Sequence, residues 1–179
     1  MIRLAIVDDQ ASMRRSLRDY LQSCPGMAVV AEGSNGAQAA QIAGEVAPDV
    51  LLMDLAMPGQ HGVDALAAIR SRAPGLPVLI LSGHPEEFYA LMLLQRGAAG
   101  FLQKNCEPAH MVEAIHAVAA GRLYITTQLA RDLRAKASQG AAAFNPDAQA
   151  TVAAALAEHL HCSVWPPACR PSVHAAAAA

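Results

Sequence analysis

No apolar run in this chain of 179 residues is long enough to cross a membrane. The longest aliphatic stretches, Val50 to Met53 and Leu91 to Leu94, fall far short of the ~20 residues a spanning helix needs. The N-terminus enters an apolar run at Ile2 without the basic region, long apolar core or small-residue cleavage site of a secretory leader. The expectation is therefore a cytoplasmic protein with no membrane partner. Positive charge is not in excess either: 13 Lys and Arg stand against 15 Asp and Glu, a net charge of -2. Such a balance gives no electrostatic footprint for nucleic acid unless a local basic patch supplies one, and none is evident. The four cysteines, Cys24, Cys106, Cys162 and Cys169, form no paired framework and read as reduced thiols. With His159, His161 and His174, the last two match no standard zinc spacing, and prolines separate them.

The chain does have apolar content, 54%, ample for a core built without crosslinks. Arg3 to Val7 is a short apolar run that ends at Asp8-Asp9, and Met13, Leu17, Tyr20 and Leu21 follow at helical spacing. Pro25-Gly26 breaks that helix, Met27 to Ala31 reads as a second strand, and Ser34-Asn35-Gly36 opens a helix through Val46. Val50 to Met53, ending at Asp54, is a continuous apolar run, as expected of a parallel strand covered on both faces. A helix from about Val63 to Ser71, a strand Pro77 to Leu81 closed by Ser82, and a helix from about Pro85 to Gln95 come next. The last unit is a strand Gly100 to Gln103, running into Lys104, and a helix from about Pro108 to Ala120 that stops at Gly121. Five alternating strand and helix units predict an α/β fold with a doubly wound parallel sheet and right-handed crossovers.

Beyond Gly121 the character changes. Residues 1–121 form the expected domain, and 122–145 read as a linker with a helix from Thr127 to Lys136. Residues 146–179 are Ala-rich and expected to be largely disordered, although Asp147 to Leu160 has helical character.

Polar residues fall where the strands end. In an open parallel sheet, ligands sit beyond the carboxyl ends of the strands, where the strand order reverses. Asp8, Asp9, Asp54, Ser82 and Lys104 all close strands and so face one crevice. Close carboxylates repel by roughly 4 kcal/mol per pair at an effective dielectric near 20, so the cluster needs a cation. All-oxygen ligands suit Mg²⁺, or Mn²⁺, rather than Zn²⁺. Lys104 offers a mobile point charge and Ser82 a hydroxyl for phosphoryl oxygens. An aspartate set among these groups can act as a nucleophile on phosphorus, giving an acyl phosphate. Each residue also has a plainer role: Asp8-Asp9 can cap a helix, Ser82 can belong to a loop, Phe101 to the core, and Leu91 to Leu94 to ordinary packing.

Asp8-Asp9, the run from Leu51 through Asp54 to Met57-Pro58-Gly59 with Gly62, Leu81-Ser82-Gly83, and Phe101-Leu102-Gln103-Lys104 together resemble the receiver domains of two-component response regulators. The resemblance covers about residues 2–121, and the stretch from Gly97 to Asn105, without proline after Lys104, is similar to the NarL/FixJ-type subfamily. It implies a flavodoxin-like five-stranded sheet of order 2-1-3-4-5 with a C-terminal helical or disordered extension. It implies that Asp54 is the phosphoacceptor, served by a sensor histidine kinase or a small acyl phosphate. Asp9, Asp54 and the Ala56 backbone carbonyl would hold Mg²⁺, with Asp8 acting mainly through metal-bound water. Ser82 and Lys104 would grip the phosphoryl group, and Ser82 with Phe101 would form the switch. Ala56 and His84 would flank the path of attacking water. Such a domain catalyses only its own phosphorylation and dephosphorylation, and its fourth helix, fifth strand and fifth helix form the face used for homodimers or effectors.

Members of that subfamily usually carry a helix-turn-helix with basic residues on the groove-facing helix. Here the only Lys or Arg after Lys136 is Arg170, so little remains to neutralise phosphates and DNA is an unlikely partner of the chain as written. Two explanations compete: a receiver whose output is protein contact, or a DNA-binding transcriptional regulator whose helix-turn-helix was truncated or frame-shifted near Leu160. A third reading, an aspartyl-nucleophile phosphatase of haloacid-dehalogenase type, would need a second Asp two residues after the nucleophile, where Ala56 stands.

Overall fold

A computed structural model describes residues 1–57, 62–83, 86–126 and 129–131. Five strands, β1 (Ile2–Val7), β2 (Met27–Gly33), β3 (Val50–Asp54), β4 (Val78–Ser82) and β5 (Gly100–Gln103), alternate with five helices. These are α1 (Ala11–Ser23), α2 (Gly36–Glu45), α3 (Gly62–Arg72), α4 (Glu86–Gln95) and α5 (Pro108–Ala119). All strand pairs are parallel and the sheet order is β2-β1-β3-β4-β5, as the resemblance implies. No described helix is long and apolar enough to cross a membrane.

The central strands are buried along their whole length, because alternate residues enter two different cores. Val7, Leu51, Met53, Ile80 and Phe101 pack with Ala39, Leu66 and Leu93 of α2, α3 and α4. Leu4, Ile6, Leu52, Leu79, Leu81 and Leu102 pack with Leu17 and Leu21 of α1 and Met111, Ile115 and Val118 of α5. Local chemistry sets the helix ends. The Asn35 side chain accepts from Gln38 N at 2.9 Å, capping α2, while Gln38 Oε1 accepts from Ser34 N at 2.7 Å. At the other end of α2, the Arg3 guanidinium donates to the carbonyls of Val46 and Ala47.

Element boundaries depart from expectation where pairing outruns the apolar pattern. β2 continues to Gly33 because its ladder with β1 persists through Glu32 and Gly33, opposite Ile6 and Val7. β4 includes Ser82, which pairs with Gln103. Packing also continues past Gly121, where the linker was expected to begin. Tyr124 bridges Gly100 in the parallel sense, its N–H donating to Ala99 O at 2.9 Å. Ile125, Leu129 and Ala130 are buried in the same core as Phe101, Leu94 and Ala98. Residues 122–126 and 129–131 thus form a strap along the outer edge of β5. Of the helix expected from Thr127 to Lys136, residues 129–131 are helical. The remainder, the Ala-rich tail with its histidines and cysteines, and Pro58, Gly59 and His84 lie outside the described residues.

Candidate functional site

The strand order reverses between β1 and β3, so the crevice belongs at their carboxyl ends. Val7 pairs with Met53 there, which puts Asp8 and Asp54 level with one another. Counting by twos along the rows that face α1 and α5 extends Leu4 and Ile6 to Asp8, Leu52 to Asp54, and Leu102 to Lys104. Ser82 continues the opposite row, from Val78 and Ile80. The periodicity that builds the cores therefore carries three charged side chains to the same side of one rim.

Two strand spacings, about 9.6 Å, separate β5 from β3. The long stem of Lys104 crosses them: its Nζ lies 2.9 Å from Asp54 Oδ2 and 2.7 Å from Asp8 Oδ2. Both aspartate side chains are almost wholly buried, and Lys104 is 13% exposed. Burial alone would lower the Lys104 ammonium, but its bonds to Asp54 and then Asp8 outweigh that effect and hold it above its ordinary value. Asp54 Oδ1 accepts from Ala56 N at 3.2 Å, and Asp8 Oδ1 from Gln10 N at 2.9 Å. The helix-capping role considered for Asp8-Asp9 is not the one observed: the N-cap of α1 is Gln10 without a side-chain cap bond, and Asp8 instead closes a turn onto Gln10 N.

Asp8, Asp9 and Asp54 each offer an oxygen within 4.8 Å of the others. At that separation two carboxylates repel by about 3.5 kcal/mol at an effective dielectric of 20. One ammonium against three carboxylates leaves the cluster negative. Among the described residues Asp9 Oδ1 is buried without a hydrogen-bond partner, while Asp8 Oδ2 lies 2.7 Å from the Lys104 ammonium. A buried carboxylate oxygen without a partner, beside two further carboxylates, is an arrangement that a hard divalent cation completes, and the donor set is oxygen throughout.

Ser82, wholly buried, sits one residue beyond Leu81, the partner of Asp54, and its carbonyl accepts from Lys104 N at 2.8 Å. Phe101 is fully buried under the rim, in the core it shares with the strap. Ala56 is exposed in the loop after Asp54, held by its N–H. One residue near the site went unnoticed in the sequence: Arg14 Nη1 donates to the carbonyl of Asp8 at 2.7 Å. The available signal was an arginine in the first turns of a helix that has no acidic residue there, against the preference of the helix dipole.

Residues 4–116 match the family model described as the response regulator receiver domain. The response regulator GacA of Pseudomonas viridiflava is 37% identical over 139 residues, covering 78% of this chain and 65% of that protein. The nitrate/nitrite response regulator protein NarL of Escherichia coli (strain K12) is 33% identical over 136 residues, covering 74% and 63%. The chain thus spans somewhat under two thirds of the length of these curated relatives. A crystal structure of a two-component response regulator of the LuxR family from Aurantimonas sp. SI85-9A1 superposes with a TM-score of 0.72. That structure is 33% identical, and the match covers 77% of this chain and 99% of the other.

Proposed function

This chain belongs to the response regulator receiver family, and from that premise we propose that Asp54 accepts a phosphoryl group from a sensor histidine kinase or a small acyl phosphate. The observation that carries the proposal is the buried contact of Asp54 with Lys104 in the midst of Asp8 and Asp9. An Asp54 carboxylate oxygen attacks phosphorus, the bond from phosphorus to the donor's nitrogen or carboxylate oxygen breaks, and an aspartyl phosphate remains. Lys104, held on Asp54 beforehand, moves its ammonium to a phosphoryl oxygen as charge accumulates there. Ser82 supplies a hydroxyl to another oxygen.

Asp9 and Asp54, with the Ala56 carbonyl, would hold Mg²⁺ or Mn²⁺, and Asp8 would act through metal-bound water. The ion supplies neutralisation of the phosphoryl charge. Once Lys104 and Ser82 engage the phosphoryl group, the change passes to Phe101 and the face of α4, β5 and α5, which serves as homodimer or effector surface. The output proposed for this face is protein contact; after Lys136 the sequence carries one Lys or Arg, Arg170, which leaves these residues little with which to neutralise DNA phosphates. A phosphatase reading finds no second aspartate at Ala56.

Incubation with acetyl phosphate and Mg²⁺ is expected to give about one labile acyl phosphate per chain, separable on a phosphate-affinity gel. Asp54→Asn abolishes it. Undiminished labelling of that variant would assign the nucleophile elsewhere, and continuous turnover of a supplied phosphate ester would favour the phosphatase.

A further inference from the structure

Arg14 is misplaced for helix stability: a cation near the positive end of α1 opposes the helix dipole. Its contacts explain its presence. Nη1 donates to Asp8 O at 2.7 Å and approaches Asp9 O at 3.5 Å, while Nε lies 3.7 Å from Glu32 Oε2. Glu32 sits on β2 opposite Ile6, and its other oxygen takes Arg18 Nη1 at 3.0 Å, one helical turn further along α1. A strut therefore runs from the sheet edge through Glu32 and Arg14 to the peptide joining Asp8 and Asp9. The remaining groups of Asp8 are fixed as well, its N–H on Gly33 O at 3.1 Å and its Oδ1 on Gln10 N. What this leaves aimed at the cluster is the Asp9 carboxylate, whose Oδ1 is buried without a hydrogen-bond partner among the described residues.

We infer that Arg14, braced by Glu32, is a positioning residue for the divalent-cation site: by holding the Asp8 carbonyl it sets the plane of the Asp8-Asp9 peptide and so the direction of the Asp9 carboxylate. The inference rests on the metal-binding role proposed for the cluster. Two effects of Arg14 oppose each other there. Its charge disfavours a second cation nearby, whereas its hydrogen bond preorganises the ligand. Outer partners that orient metal ligands typically account for 10–100-fold in affinity. The bond here is direct and charge-assisted, whereas the charge acts across partly solvated surface, so positioning dominates.

The test is direct binding of Mn²⁺ to the full chain, read from the electron paramagnetic resonance signal of the free ion, with Mg²⁺ as competitor. Arg14→Ala is expected to weaken Mn²⁺ about tenfold. Glu32→Gln, which loosens the strut but keeps the bond to Asp8, weakens it by a smaller factor. Arg14→Lys, retaining a donor without the second arm, falls between Arg14→Ala and the parent. Urea unfolding in EDTA identifies any variant that has lost its fold, and Glu32→Gln then decides alone. A dissociation constant within twofold of the parent in folded Arg14→Ala, or tighter binding, overturns the inference. Absence of Mn²⁺ binding by the parent overturns the cluster's metal role itself, and Asp54→Asn labelling tests the phosphoacceptor separately.

Discussion

Replacing Lys104 with methionine keeps a long stem at the rim and removes only the ammonium. Asp8 Oδ2 and Asp54 Oδ2 then lose a partner held at 2.7 and 2.9 Å, while both side chains stay almost wholly buried. Removing one member of a buried charge group costs about 3–5 kcal/mol. The repulsion thereby uncovered, about 3.5 kcal/mol for oxygens within 4.8 Å, is of the same size. With a urea m value of about 2 kcal/mol/M, the midpoint falls by roughly 2 M in EDTA. A divalent ion at 100 times its dissociation constant returns about 2.7 kcal/mol, so Mg²⁺ should recover much of the loss. The Lys104 ammonium is held above its ordinary value of 10.5, first against the lowering effect of burial, by Asp54 and Asp8. A group raised on folding stabilises fully below its unfolded value and loses that contribution as pH rises through the folded one. The gap between parent and variant should therefore be present at pH 7 and close only above about 10.5. Urea melts followed by circular dichroism check each point. A shift in EDTA below about 0.5 M, less than about 1 kcal/mol, would refute the premise that the rim is electrostatically loaded.

Two glycines test how the backbone frames the site. A Cβ at Gly62 would lie 2.9 Å from both Cα and O of Leu55, the residue after Asp54. Gly62→Ala is thus expected to cost about 1–3 kcal/mol in urea unfolding and to slow labelling by acetyl phosphate, because Leu55 must move. Equal stability and equal labelling would show that the loop yields without disturbing Asp54. A Cβ at Gly100 would lie 2.8 Å from Leu79 Cδ1 and 2.9 Å from Tyr124 O. Gly100→Ala should lift the strap from β5 and speed tryptic cleavage at Arg122 and Arg131. Cleavage at the parent rate would mean that the strap is not seated through this contact.

The alternation was legible because each element carries its own punctuation, whereas the strand order came from the resemblance to receiver domains. Asp54 ends an unbroken apolar run, and Pro108 with Gly121 brackets α5, so local chemistry and global fold agree. The strap was not legible. Leu123 to Ile125 is too short to announce a strand, and what holds it is the absence of a side chain at Gly100, far from it in sequence. Arg14 was hidden differently: its partners are a carbonyl and Glu32, and a backbone oxygen leaves no trace in a residue pattern. By contrast Asp8, Asp9, Asp54, Ser82 and Lys104 stood out because each polar residue interrupts an apolar strand at its carboxyl end.

The same topology ties the site to its surroundings through backbone bonds. Asp8 N donates to Gly33 O at 3.1 Å, Leu55 N to Leu81 O at 3.0 Å, and Lys104 N to Ser82 O at 2.8 Å. Each site segment is thus pinned to a neighbouring strand, and Lys104 Nζ bridges the end of β5 to both Asp54 and Asp8. Under the proposed phosphorylation, moving that ammonium to a phosphoryl oxygen releases Asp8 and pulls on the end of β5. Three residues back lies Phe101, buried with Ile125 and Leu129 of the strap, and Gly100 holds Tyr124. On that proposal, a load applied at Lys104 would reach the strap through Phe101, which shares its core, and Gly100, which bridges Tyr124.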